Sequence, residues 1–438
     1  MSSQCAAPPG ILNTALVLYK DILSRSALLT GTYPFRMGRQ NGPIGDNQPT
    51  GLTLDKTLLP EYLKTKGYAT HMIGKWHLGF CKEDYLPTNR GFDHHYGYWV
   101  GSEDYYNHTR GEGSRSHKMG YDFRNDLDID ETAKGVYSSI LFSQKSDQII
   151  SNHDQSKPLF LYLPFQSVHA PFEAPQEYID MYEDVSDDQR RVFLGMVTAM
   201  DDAVGVVVES LKNAGLFDNT IIVFFSDNGG AQGKGNNWPL RGHKSTLWEG
   251  GTRTPAFIHG PGLSARTEER IFHVTDWYPT LLEVLNKTPS GPPMDGVAEW
   301  RGLVDSSEDW VRHEMVYNIK TEEDHPHSPT AAIRVGDWKY LRRVTDASWE
   351  KPPEGRDTDD PTPCPSDQSR PTLTNQLFNL ADDPLEEINL ADIEVERVDE
   401  MKSRLKEHLE TYMDVDYNHD DPAGKPSNFG GFWSTGWC

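Results

Sequence analysis

The chain has 438 residues, 36% hydrophobic and 25% charged, a balance that excludes a disordered polypeptide and predicts one large folded domain with a smaller one. Its formal net charge of −24 excludes the broad basic face that a nucleic-acid partner requires, so any anion site must be a local cluster of Lys, Arg and His. No apolar run reaches the length of a membrane span, and the four cysteines (Cys5, Cys81, Cys364, Cys438) are too few for a disulfide scaffold and leave three pairings open.

The first twenty residues carry a short apolar run with no basic segment before it, interrupted by Asn13 and Thr14, and do not read as a signal peptide. Ser24-Arg25, followed by Thr30-Gly31, places a Ser-Arg pair at the start of a helix, where an anion can bind; a capped structural helix fits the same residues. Residues 67–77 read as a strand running into Gly74-Lys75-Trp76-His77. Two apart, Lys75 and His77 project to one side of an extended chain, offering a point charge and a group able to move a proton. Acceptor sequons stand at Asn107 and Asn286.

Residues 159–163 (LFLYL) and 220–225 (TIIVFF) read as buried strands on either side of a helix over 187–214. That helix carries apolar positions Phe193, Met196, Met200, Val204, Val207 and Leu211, a Ser186/Gln189 capping box and a Gly215 stop. Strand, helix, strand implies parallel pairing through a helical crossover, hence a doubly wound α/β sheet whose ligands lie beyond the strand carboxyl ends. There stand Gln166-Ser-Val-His169 and Ser226-Asp227-Asn228-Gly-Gly. The carboxylate and amide of the second suit a hard cation, and the same residues are ordinary turn formers.

Arg241-Gly-His243-Lys244 and Trp248-Glu249-Gly-Gly-Thr-Arg253 form a basic loop bounded by glycines, readable as a ligand clamp or as a solvated loop. Composition shifts near Arg301. Residues 348–373 read as an exposed excursion among the strands and turns of a smaller unit, and 393–413 as a terminal helix with Val395, Val398, Met401, Leu405 and Leu409 on one face.

In this order and spacing the segments resemble the sulfatase family, and most nearly its arylsulfatase B type (N-acetylgalactosamine-4-sulfatase-like). Ser24-Arg25-x4-Thr30-Gly31 resembles the end of the first family signature and residues 67–77 the second. Leu86-Pro-Thr-Asn-Arg-Gly-Phe-Asp, Gly101-Ser-Glu-Asp-Tyr-Tyr and Gly235-Asn-Asn-Trp-Pro-Leu-Arg-Gly-His-Lys carry the sub-family likeness. The resemblance implies an alkaline-phosphatase-like doubly wound sheet with helices on both faces, plus a smaller C-terminal domain with an antiparallel sheet and a terminal helix. The expected divisions are a non-family segment over 1–23, a catalytic domain over 24–320 and the smaller domain over 321–438.

The same resemblance assigns Arg25 to stabilising the nucleophile and Lys75, His77, His169 and Lys244 to surrounding the sulfate. It makes Asp227 and Asn228 half the ligands of a Ca2+ ion. The family nucleophile is a formylglycine made within Cys-x-Pro-Ser-Arg; here Asp21 holds that position and Leu23 replaces the proline, so the aldehyde cannot form. No acidic residue precedes Asp21 to complete the metal site. A first strand is therefore expected to be missing, with low stability as a result. Sulfated N-acetylgalactosamine glycans or aryl sulfates are the implied substrates, and a lysosomal or secreted location is usual for relatives. A silent protein that binds sulfated glycans, and a phosphate or phosphonate esterase of the same superfold, are the alternatives.

Overall fold

Apolar runs form the strands of this computed structural model, which describes residues 15–16, 21–112, 118–286, 293–321, 329–352, 371–415 and 419–438. In chain order the elements that frame the candidate residues begin with α1 (Asp21–Thr30), β1 (Ala69–Lys75), β2 (His94–Tyr98), α2 (Ser138–Ser151), β3 (Leu159–Tyr162) and α3 (Asp188–Asn213). They continue with β4 (Ile222–Phe225), β5 (Ala256–His259), β6 (Glu314–Lys320), β7 (Thr330–Val335), β8 (Trp338–Thr345), β9 (Thr372–Asn379) and α4 (Val395–Leu409). The chain divides into two compact units, Pro43–Asn219 with Asp416–Cys438, and Met1–Gly42 with Thr220–Val415.

In the first unit, β1 pairs in parallel with β2 on one side and β3 on the other, with His71 opposite both His94 and Leu161. Arg124–Asn125 and Asp128–Ile129 extend this mixed sheet antiparallel beyond β2. Helices α2 and α3 pack together, joined by the Ser210 hydroxyl donating to Asp147 Oδ1 at 2.6 Å. The tail of this unit is held covalently by a Cys81–Cys438 disulfide spanning 357 residues, which selects one of the three pairings left open by the sequence. Cys5 and Cys364 lie outside the described residues.

In the second unit, β4 pairs antiparallel with β5, and Ala15–Leu16 pairs antiparallel with Arg253–Thr254. Strands β6 to β9 form an antiparallel sheet in sequence order. Gly336-Asp337 closes the β7–β8 hairpin, Gly336 taking the φ of +56° that a two-residue turn asks for. Val398, Met401 and Leu405 of α4 bury against Val316, Ile319, Ile333, Tyr340 and Leu377 of the sheet, each burial worth about 1.5–3 kcal/mol.

Two expectations about local structure need correction. The carboxylate of Asp187, not a Ser186/Gln189 box, caps α3 by accepting the Arg190 amide at 2.9 Å; an ionised acceptor next to the first turn outcompetes a hydroxyl one residue further out. The terminal helix is shorter than expected and leaves Val395 exposed. β3 is the terminal strand of its sheet and pairs with β1, whereas β4 pairs with β5. All four residues of each strand are only half-buried, although runs this apolar normally belong to strands covered on both faces.

Candidate active site

The candidate residues fall into two clusters, one in each unit. The first begins where β1 ends. Gly74, at φ +119°, has no room for a side chain because a Cβ there would lie 2.2 Å from the Pro164 carbonyl oxygen. That close approach lets the Lys75 amide donate to Pro164 O at 3.0 Å and brings the segment following β3 beside Lys75. Lys75 is buried at the strand's carboxyl end, where an α/β sheet places its ligands.

His77 does not continue an extended chain as expected. Its φ is +58°, and its amide donates to Trp99 O at 3.1 Å, so the backbone turns after Lys75 to follow the end of β2. The buried His77 ring lies over Gly101, close enough that a Cβ there would be 2.8 Å from Nε2. The same stretch holds the third candidate. Buried Tyr105 donates from its hydroxyl to His169 O at 3.0 Å and accepts the His169 amide at 3.3 Å. The Tyr105 ring stacks on Tyr137 at 5.1 Å, and burial raises the pKa of its phenol well above the usual value, keeping it a donor. His169 Nδ1 lies 2.8 Å from Ala170 O, an acceptor only, so Nδ1 carries a proton.

The second cluster gathers around the Ser226–Gly230 turn after β4. Ser24 and Arg25 lie within α1 rather than at its first residue, so they do not form a helix-terminus anion site. Instead the Ser24 hydroxyl donates to Asp227 O, and Arg25 Nη2 donates to Asp227 Oδ2 at 3.1 Å. The Asp21 side chain lies outside the described residues. Gly229 donates to Gly251 O at 3.0 Å, and Lys244 donates from its backbone to Gly230 O at 2.9 Å. Lys244 is thereby fixed beside the Asp227-Asn228 turn.

Asn228 uses its amide nitrogen on Gly229 O, while its Oδ1 is buried without a hydrogen-bond partner, an oxygen suited to a cation. Calcium takes about six to eight oxygens. Among the described residues no group of three or more His, Cys, Asp or Glu is arranged to hold a metal. Asp227 and Asn228 are therefore the residues that would contact the cation, and they do not complete its ligand set.

Much of the basic loop is structural. Arg241 donates to Ala347 O, Glu386 O and Asp346 Oδ1, each at 2.8 Å, and its guanidinium lies 3.7 Å from the Trp248 ring and 4.6 Å from that of Trp349. Asn237 is held by Glu350, whose carboxylate accepts its amide at 2.6 Å; burial raises the pKa of that carboxyl. The beginning of the expected exposed excursion is thus packed, and 353–370 lie outside the described residues. Asn107 is exposed in a turn, with its amide donating to Asp104 Oδ1 at 2.6 Å; Asn286 is exposed too, but the rest of its sequon lies outside the described residues.

The residues missed by sequence reasoning are Tyr105, Glu350 and the carboxylates Glu249 and Glu386. Tyr105 stands inside Gly101-Ser-Glu-Asp-Tyr-Tyr, a stretch identified by resemblance alone, whose part in supporting both histidines is visible only in three dimensions.

The Sulfatase family profile matches residues 22–287. Arylsulfatase J of Mus musculus is 35% identical over 432 residues, covering 94% of this chain and 71% of that protein. N-acetylgalactosamine-6-sulfatase of Mus musculus is 28% identical, covering 84% of this chain and 72% of that protein. The solved structure of Ps i-CgsB in complex with k-i-k-neocarrahexaose superposes with a TM-score of 0.78 at 25% identity, covering 94% of this chain and 88% of that one. PsFucS1 sulfatase from Pseudoalteromonas sp. shares the fold, with a TM-score of 0.72 at 23% identity, covering 94% of this chain and 85% of that one. With its profile over more than half its length and a relative of this identity along most of it, the chain belongs to the sulfatase family of sulfate-ester hydrolases.

Proposed function

We propose that this chain, a sulfatase by descent, binds sulfate monoesters on N-acetylgalactosamine-containing glycans but does not turn them over as it stands. The observation that most supports retained binding is the Arg25–Asp227 pair, kept with Lys244 fixed beside the same turn. What argues against turnover is Asp21 at the nucleophile position, because a carboxylate cannot become formylglycine and would repel sulfate oxygens.

In this reading Lys244 places positive charge on the non-bridging sulfate oxygens, and the sulfate-facing roles of Lys75 and His77 are those the family resemblance implies. His169 offers Nε2 to the leaving oxygen, its orientation set by Tyr105 and Ala170. Arg25 orients Asp227 and neutralises it. A cation bound through Asp227 and Asn228 would polarise the sulfate when present.

Calorimetric titration with 4-sulfated, 6-sulfated and unsulfated N-acetylgalactosamine saccharides tests this. Saturable binding of a sulfated sugar, weakened at least about tenfold by Lys244→Ala, supports the reading. Equal binding of the unsulfated sugar overturns it. Turnover of an aryl phosphate with no response to sulfate would identify a phosphate esterase of the same superfold instead.

A further inference from the structure

Behind the Lys244 loop lies a group of ionisable side chains that the reading above leaves unused. Glu249, Lys339 and Glu386 are all fully buried. Lys339 Nζ lies 2.8 Å from Glu249 Oε1 and 2.8 Å from Glu386 Oε1. The Tyr317 hydroxyl donates to Glu249 Oε1 at 2.8 Å, and the Glu249 amide donates to Glu386 Oε2 at 2.7 Å. Two carboxylates thus share one ammonium where water cannot solvate the surplus charge. Glu249 Oε2 is buried without a hydrogen-bond donor, and one added proton on the pair of carboxylates would neutralise the trio.

The trio is wired to the candidate site through backbone. Glu249 opens the short Glu249–Thr252 helix, in which Gly250 donates to Arg241 O at 2.7 Å and Gly251 accepts from Gly229. A Cβ at Gly229 would lie 1.9 Å from Gly250 O, so the two segments touch main chain to main chain and cannot shift independently. Glu386 closes the circuit by accepting Arg241 Nη1 on its carbonyl while its carboxylate holds the Glu249 amide.

We propose that Glu249, Lys339 and Glu386 act as a proton-dependent brace that positions the Ser226–Gly230 turn and the Lys244 backbone, tight while the trio holds one extra proton and slack once that proton leaves. Burial, opposed by Lys339 and reinforced by Glu249, pushes the Glu386 carboxyl up to about 7. Glu249 is also pushed up by burial, but Lys339 and Arg334 outweigh that and hold it below the ordinary value. The extra proton therefore belongs to Glu386. Of the other charges, Arg334 acts on Glu249 and Arg241 on Glu386, while Asp346 and Asp383 act on Arg241. The brace is tight in mildly acidic solution and slackens as pH rises through neutrality.

Its value to sulfate binding rests on the proposed function, but the positioning does not, and backbone exchange tests it separately. Hydrogen–deuterium exchange of the full chain is followed between pH 5.5 and 8, corrected for intrinsic rates, with residues 226–252 compared against β7 and β8. In the wild type, protection of 226–252 falls roughly tenfold or more over this range. In Glu386→Gln, whose amide mimics the protonated acid, protection stays high at both ends. The same fall in Glu386→Gln and wild type, or no selective fall in the wild type, overturns the proposal. Should Glu386→Gln fail to fold, the wild-type profile alone decides. Loss of sulfate binding with the exchange pattern intact would instead count against the proposed function.

Discussion

The Tyr105 hydroxyl holds both polar atoms of the His169 backbone, donating to its carbonyl at 3.0 Å and accepting its amide at 3.3 Å. A tyrosine fully buried against Tyr137 thereby orients a histidine whose own ring is partly open to solvent. Tyr105→Phe leaves the stacking and removes the hydroxyl, with an expected loss of about 1–3 kcal/mol for the stranded backbone groups. Urea denaturation reads that loss, and sulfated-saccharide binding should weaken with it. Tyr137→Phe, whose hydroxyl serves Glu173 O, is the control expected to lower stability without touching binding. Equal binding losses in both variants would contradict a specific role for Tyr105.

Arg25 and Asp227 form a pair in which the arginine is buried and the aspartate about one-quarter exposed. Arg25→Ala leaves a partly buried carboxylate uncompensated and is expected to cost about 1–3 kcal/mol, less than a fully buried pair would. Arg25→Lys should recover only part, because an ammonium cannot reproduce the guanidinium's planar set of donors. Thermal unfolding of the three proteins checks the order, and a lysine variant as stable as wild type would refute it.

The sequence made the strands, the long helix and the polar turns after β3 and β4 legible because periodicity and turn chemistry are local. Cap choice was harder: Asp187 and Ser186 are adjacent and both competent, and only the helix start decides between them. Arg241 read as part of a ligand clamp or of a solvated loop, because nothing in its neighbourhood in sequence reveals Trp349 or Asp346 more than a hundred residues away. Glu249 was hidden for the same reason, since its partners come from β6, β8 and the turn after β9. The pairing of β3 and β4 escaped because an apolar run shows that a strand wants cover but not which strand supplies it.

Cys81 and Cys438 are bonded in the unit they share, and the Gly436 and Trp437 amides both donate to Cys81 O, at 2.8 and 3.0 Å. Reduction is expected to cost about 2–5 kcal/mol by freeing a long loop in the unfolded chain. Peptide mapping without reductant should recover the Cys81–Cys438 pair, and such a bond persists in oxidising compartments. A different pairing, or an unchanged urea midpoint after complete reduction, would contradict this.

Stability should fall on both sides of mild acidity. Burial pushes Glu299, like Glu386, up to about 7, so the folded protein holds protons that the unfolded chain releases near the ordinary carboxylate value. That stability is fully present below the ordinary value of 4.5 and lost as pH rises toward and through about 7. Burial lowers His95 to about 4, so its contribution is present above the ordinary value of 6.5 and lost as pH falls toward and through about 4. Melting temperature against pH should therefore peak between those limits and drop by several degrees on either side. A monotonic rise to pH 8 would contradict these assignments.

The proposed function is binding of a sulfate ester without turnover, Asp21 standing where the sequence resemblance implies the nucleophile. The most direct test incubates the 438-residue chain with an aryl sulfate and calcium while measuring sulfate release and the binding of a sulfated N-acetylgalactosamine saccharide in the same preparation. Saturable binding with no sulfate released is the result expected. Catalytic release of sulfate by this chain would contradict the claim.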